Sequence, residues 1–328
     1  MKEAHAEGGY EDFLSHMTQL GGELTWITQR RNFPRTKVQG AFLRHRNPSD
    51  IIKDVLNSSK LKVEEIEFQA KSRGLPKNFV ENEAKEILST MAHQMNMFSI
   101  RGVGYAVVKM LFDAIFVNVN HLSKIKNAFE DNPVIFIPTH RSYLDFLLLS
   151  VICFDQEIPL PAIASAVDFL NSRVIGETLR RCGAFFIKRR IGRDRLYWLI
   201  FSEYVQSHVI NGDHPLEFFI DGTRSRSNKS LYPKFGLLQA LLEPYFRRQV
   251  YDMVIIPITI SYDKIIEESL FAYELLGFGK PKETASGLFK ARKILNGKYG
   301  RVFMTFGNPI SLKYYFPTLR SLLYFSAV

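Results

Sequence analysis

Cysteine is almost missing from this chain. Cys153 and Cys182 are the only two in 328 residues, both in apolar runs and neither at a metal-ligand spacing. That argues against a disulfide-stapled scaffold and a cysteine-bound metal, and fits a reducing compartment. Long apolar runs are missing too. No stretch reaches the roughly 18 uninterrupted apolar residues of a spanning helix. The best candidates are broken by Lys109 and Asp113, or by Asp145 and Asp155. A basic leader is lacking, because Glu3, Glu7, Glu11 and Asp12 give the first residues the wrong sign for a transit peptide. Ser326-Ala327-Val328 at the other end is not the Ser-Lys-Leu type of peroxisomal address. Internal repeats and low-complexity tracts are absent.

Acid is in deficit: 33 Asp and Glu stand against 43 Lys and Arg, a formal charge of +10. The excess favours an anionic partner, whether nucleic acid, a phosphorylated metabolite or an acidic membrane face. Nucleic acid is the poorest fit. No recognised module is visible, and the basic residues gather at strand ends instead of forming a stripe. What is present is material for a core, with 46% apolar and 23% charged residues.

Residues 1–75 carry weak signals, though "NPSDIIKDVLNS" (47–58) reads as a short helix with Pro, Ser and Asp at its start. Residues 76–130 read as a helical lead-in. There "NFVENEAKEILSTMAHQMNMF" (78–98) and "GYAVVKMLFDAIFVNVNHL" (104–122) carry apolar residues at three- and four-residue spacing. The second is also the candidate to lie on a bilayer without spanning it, a buried core helix being the alternative. From 131 to 312 short apolar runs alternate with helical stretches. The runs are "VIFIP" (134–138), "PAIAS" (161–165), "AFFI" (184–187), "LEFFI" (216–220), "MVIIPITI" (253–260) and "VFMTF" (302–306). The helical stretches between them include 195–211 and 233–246. The expected fold is α/β: a mixed, largely parallel sheet covered by helices on both faces, with an N-terminal helical region. Residues 313–328 form an atypical tail.

In open sheets of this kind ligands bind beyond the carboxyl ends of strands. The arresting polar residues fall there. His140 follows the first run, and Asp145 stands five residues on, at the mouth of "FLLLSVICF". On one continuous helix, positions five apart sit about 140° apart and do not meet. They meet if His140 lies in the turn before the helix. Ser142-Tyr143-Leu144-Asp145 fits a capping box, which starts the helix near Ser142 and puts Asp145 in its first turn. Two readings stay open from spacing alone: a cap beside a loop histidine, or a general base with its orienting acid. No Gly-x-Ser-x-Gly elbow is present, so no acyl-serine intermediate is indicated.

Two basic strand ends complete the pattern. "RRCGAFFIKRRIGRDR" (180–195) carries Lys188 and Arg189 beyond a strand, and "DGTRSRSNK" (221–229) carries Arg224, Arg226 and Lys229 around Gly222. Each alone reads as a solvated face. If both converge on one edge, their forks and the amides beside Gly222 fit phosphate oxygens.

His140-x4-Asp145, "GAFFIKR", "FIDGTRSRS" and "IIPITISYD", in that order, resemble the four sequence blocks of the glycerolipid acyltransferases. Further stretches, "LYWLIFSEYV", "LYPKFGLL" and "SGLFKARKIL", resemble the branch that acylates dihydroxyacetone phosphate. The resemblance covers roughly residues 80–312 and stops before the tail, which points to a fragment or a short isoform. It implies that His140, aided by Asp145, deprotonates the substrate hydroxyl for direct attack on acyl-CoA, a co-substrate. It implies no metal and no other cofactor. Arg189, Gly222, Thr223 and Arg224 would bind the phosphate, with Arg226 and Lys229 added on charge. Pro257 would shape the acyl-CoA region. Also implied are a long-chain acyl donor, a membrane surface at the lumenal side of the peroxisomal membrane, and alkylglycerone-phosphate synthase as partner. The alternatives are a glycerol 3-phosphate acylating enzyme and an inactive lipid- or CoA-binding relative. One departure stands out: where the family's third block has Glu-Gly-Thr-Arg, this chain has Asp221-Gly222-Thr223-Arg224.

Overall fold

A computed structural model describes residues 9–19, 23–28, 37–38, 41–42, 46–104, 109–189, 191–192, 194–227, 229–277 and 297–316. The apolar runs form strands. They are β1 (Tyr10–Asp12), β4 (Ala114–Asn118), β5 (Val134–Pro138), β6 (Ala162–Ala166), β7 (Ala184–Ile187), β8 (Leu216–Glu217), β9 (Val254–Tyr262), β10 (Arg301–Phe306) and β11 (Ile310–Ser311). A separate ribbon pairs β2 (Lys37–Val38) with β3 (Ala41–Phe42). The main sheet runs β1-β4-β10-β9-β5-β8-β6-β7, with β11 on β9. Strands β9, β5, β8, β6 and β7 are mutually parallel, so their carboxyl ends share one edge. Strand β10 runs antiparallel to β9, which makes the sheet mixed.

Strand β5 shows why the sheet is a middle layer. Val134 and Phe136 pack into one core, while Ile135 and Ile137 pack into the other. An all-apolar strand buries both faces, where alternation would leave one face wet. The first core holds the helices Leu122–Asp131 and Asp145–Asp155. The second holds Pro48–Leu56, Lys77–Met91, Arg195–Asn211 and Gly236–Phe246. At Pro48–Leu56, the Asn47 side chain accepts from the Asp50 N–H at 3.0 Å while Asp50 accepts from the Asn47 N–H at 3.2 Å. Proline follows at the first helical position, where its missing N–H costs nothing.

The helix expected over 104–122 is not there. Residues 114–118 are strand β4, with alternating burial, and the helix begins at Leu122. Residues 105–108 lie outside the described residues. Ala-Ile-Phe-Val-Asn carries a period of two that the neighbouring apolar residues hid, and its β-branched residues fit a pleated surface. Its use as an interfacial helix falls with it. Residues 114–118 of the lead-in are therefore part of the sheet, since β4 pairs with β10 and β1 pairs with β4.

At the opposite end of the parallel strands three histidine rings meet in the interior. His93 lies 5.3 Å from His208 and 5.2 Å from His214, centroid to centroid. Burial, and then the neighbouring basic groups, push His93 and His208 well down. Their folded forms stay neutral where the unfolded chain takes up protons. Stability they support is complete above the ordinary histidine value and is lost as pH falls below it. A His208→Leu chain should lose less stability on acidification than wild type, by one proton equivalent in the slope of unfolding free energy against pH. Denaturant titrations across that range check it, and an unchanged slope refutes it.

Candidate active site

His140 leaves β5 two residues beyond its end and turns back before the Asp145–Asp155 helix. Its Nδ1 lies 2.9 Å from Asp145 Oδ2. The same oxygen accepts from the Arg141 N–H at 2.7 Å and the Ser142 N–H at 2.9 Å, while Oδ1 accepts from the Tyr262 hydroxyl at 2.5 Å. Asp145 is fully buried. Four donors on one carboxyl is the pattern of the ionised form, which only accepts. Nδ1 then carries the imidazole proton and Nε2 is the basic nitrogen. The ring is held flat on Phe219, with centroids 3.8 Å apart and planes 18° apart. Burial, then the Asp145 charge, push the Tyr262 phenol well up, so it stays protonated and donates.

The capping box forms by half. Asp145 accepts from the Ser142 backbone as expected, but the Ser142 hydroxyl accepts from Leu144 and donates to Glu267 Oε2 at 3.0 Å. The helix accordingly starts at Asp145 and not near Ser142. Glu267 is a site residue that the sequence did not reveal. It also accepts from the Tyr143 N–H at 2.6 Å and pairs with Arg224 at 3.2 Å. Burial pushes its carboxyl up, against the pull of those donors and of Arg224.

The third block packs against the first. Ser225 N–H donates to the His140 carbonyl at 2.9 Å, and Arg141 Nη1 donates to the Lys229 carbonyl at 3.2 Å. Gly222 makes the turn at φ +63°, with its N–H on the Phe219 carbonyl at 2.9 Å. That left-handed backbone is where glycine costs least. Asp221 is half-buried beside it; Gly222, Thr223, Arg226 and Lys229 are exposed.

A histidine is thus fixed by a buried aspartate at a strand mouth, with the exposed Gly222-Thr223 turn beside it. Residues 116–261 match the Acyltransferase family model, and residues 271–319 match that of the glycerol-3-phosphate acyltransferase C-terminal region. The dihydroxyacetone phosphate acyltransferase of Bos taurus is 46% identical over 81% of this chain and 39% of its own length. That of Homo sapiens is 45% identical over the same shares. The chain is similar to these acyltransferases over most of its length. A glycerol-3-phosphate acyltransferase of Pseudomonas putida is 31% identical over 85% of this chain and 33% of its own. The chain spans about two fifths of the length of the mammalian relatives and a third of the bacterial one. The 1-acyl-sn-glycerophosphate acyltransferase PlsC of Thermotoga maritima matches at 16% identity and a TM-score of 0.32, over 58% of this chain and 60% of its own.

The remaining acyltransferase blocks fall less simply. Arg224 is buried, ion-paired to Glu267, with its guanidinium 3.4 Å from the Tyr143 ring centroid. It links the first and third blocks from the interior, where the resemblance implies a phosphate fork. Arg189 follows β7, three strand spacings or roughly 14 Å from β5. There it pairs with Asp168 at 2.7 Å. The basic run around it is divided. Arg180 donates to the carbonyls of Ser89, Thr90 and Ala92 at the end of another helix, and Lys188 and Arg195 pair with Asp194 and Glu65. Arg190 and Arg193 lie outside the described residues, as does "SGLFKARKIL". Pro257 sits within β9 opposite Ile137 and against Gly307, shaping the strand below the site.

Proposed function

We propose that this chain transfers a long-chain acyl group from acyl-CoA to the hydroxyl of dihydroxyacetone phosphate. The observation that carries the reading is the buried Asp145 holding His140 at 2.9 Å with the other ring nitrogen left basic. His140 Nε2 takes the hydroxyl proton as the substrate oxygen attacks the thioester carbonyl. The carbon–sulfur bond then breaks, and His140 returns the proton to the departing thiolate. One ester and one CoA thiol result, with no acyl-enzyme. Asp145 fixes the ring and stabilises the imidazolium. No cofactor enters the step.

The exposed Gly222, Thr223, Arg226 and Lys229 supply donors for the substrate phosphate. Arg189 can exchange Asp168 for phosphate, because an exposed ion pair of this kind is worth only about 0–1 kcal/mol. The mammalian relatives, at 46% and 45% identity, favour dihydroxyacetone phosphate over the glycerol 3-phosphate of the bacterial one at 31%. By the same kinship the chain works at a membrane surface, the lumenal side of the peroxisomal membrane, with alkylglycerone-phosphate synthase consuming the product. Among the described residues no helix is long and apolar enough to cross a membrane. CoA-thiol release with the two phosphates in competition tests the reading. Preference for glycerol 3-phosphate transfers it to the second substrate, and no release with either removes it.

Asp221 bears on the rate. Its carboxyl is one methylene short of the family's glutamate, a retreat of about 1.5 Å, and misplacement near 1 Å costs up to about 10²-fold. Asp221→Glu should raise kcat by as much as that; an unchanged kcat in the thiol assay shows that the shorter side chain suffices.

A further inference from the structure

Glu217 is the last residue of β8, paired with Phe136 on one side and Ile163 on the other. Leu216 and Phe218 pack in the core under the Arg195–Asn211 helix. Strand alternation therefore turns Glu217 to the opposite face, the face of the Asp145–Asp155 helix. It is fully buried, and among the described residues neither carboxyl oxygen has a hydrogen-bond partner. The charge of Asp145 bears on it, and it bears in turn on Cys153 of the same helix. No cation faces it. The flanking strands offer Phe136 and Ile163, the helix offers Asp145 and Cys153, and the Tyr262 hydroxyl of β9 is given to Asp145.

Two carboxyls thus share one buried region with opposite surroundings. Among the described residues Asp145 has four donors and Glu217 has none. An ionised carboxylate without donors or a counter-charge is far more costly to bury than the acid. When environments separate two such groups, one stays charged and the other neutral. Burial, then the Asp145 charge, push Glu217 well up, in agreement with the geometry.

We propose that Glu217 is a positioning residue for acyl transfer: a neutral carboxylic acid behind Asp145 that keeps the catalytic pair at one negative charge. Its deprotonation puts a second negative charge behind a site that must admit two phosphate-bearing substrates, and kcat/KM falls. The inference rests on the acyl-transfer reading above, and two measurements separate them. Infrared spectra of wild type and Glu217→Gln at neutral pH need no activity. They should differ by the carbonyl stretch of a protonated acid, present only in wild type. The pH profile of kcat/KM for thiol release should fall on the alkaline side in wild type, with the midpoint at which that band disappears, and Glu217→Gln should lose this fall. Absence of the acid band from wild type, or an alkaline fall that persists in Glu217→Gln, overturns the proposal. Wild type that shows the band but releases no thiol sinks the acyl-transfer reading instead.

Discussion

Replacing His140 by alanine should lower kcat for CoA-thiol release by about 10²–10⁴-fold, the usual contribution of a positioned general base. The fold should survive. The imidazole is only partly buried, its contacts are the Asp145 carboxylate and the Phe219 ring, and the three other donors to Asp145 remain. The expected result is therefore a large fall in kcat with little change in melting temperature. KM should move little, since the phosphate donors lie on the 222–229 turn and not on the ring. Asp145→Asn is the sharper companion. The amide keeps one acceptor oxygen, while the carboxylate accepts four hydrogen bonds on two. Its NH2 group replaces an oxygen that accepted from these donors. It should therefore lose both rate and stability, where His140→Ala loses rate alone. A catalytically idle lipid- or CoA-binding chain predicts otherwise: thiol release at background in wild type and no further loss in either variant.

The His140–Asp145 pair was legible before any coordinates because its chemistry is local. Six consecutive residues contain the base, the acid and the turn that lets them meet. The strands 134–138 and 184–187 and the helix 195–211 were legible for another reason: their apolar density leaves one way to bury them. Arg224 and Glu267 show the limit. They lie 43 residues apart, and nothing in the local pattern says that the arginine turns inward. A run of charges looks the same from sequence whether it faces phosphate, solvent or a buried carboxylate. Residues 114–118 failed through competition between periods. Apolar residues on every side of a five-residue strand satisfy a helical template as well as an alternating one, and only the pairing with β10 decides between them.

That hidden pair sets the second large effect. Glu267→Ala removes the carboxylate that pairs with the Arg224 guanidinium, which lies 8% exposed between the Tyr143 and Phe271 rings. Breaking one side of a buried ion pair costs about 3–5 kcal/mol. The melting temperature should fall on the order of 10 °C. Activity should fall as well, because Glu267 also takes the Ser142 hydroxyl and the Tyr143 N–H, and those two residues lead straight into the Asp145–Asp155 helix. The double variant Glu267→Leu, Arg224→Met separates the two effects. With both charges gone the burial penalty disappears, and much of the stability should return. The Ser142 and Tyr143 donors still lack their acceptor, so the turn that carries His140 stays loose and kcat stays low. Thermal melts and thiol-release rates on the two variants decide it. Recovery of both in the double variant would reduce Glu267 to a counter-charge for Arg224, whereas recovery of stability alone makes it the residue that holds the catalytic turn in place.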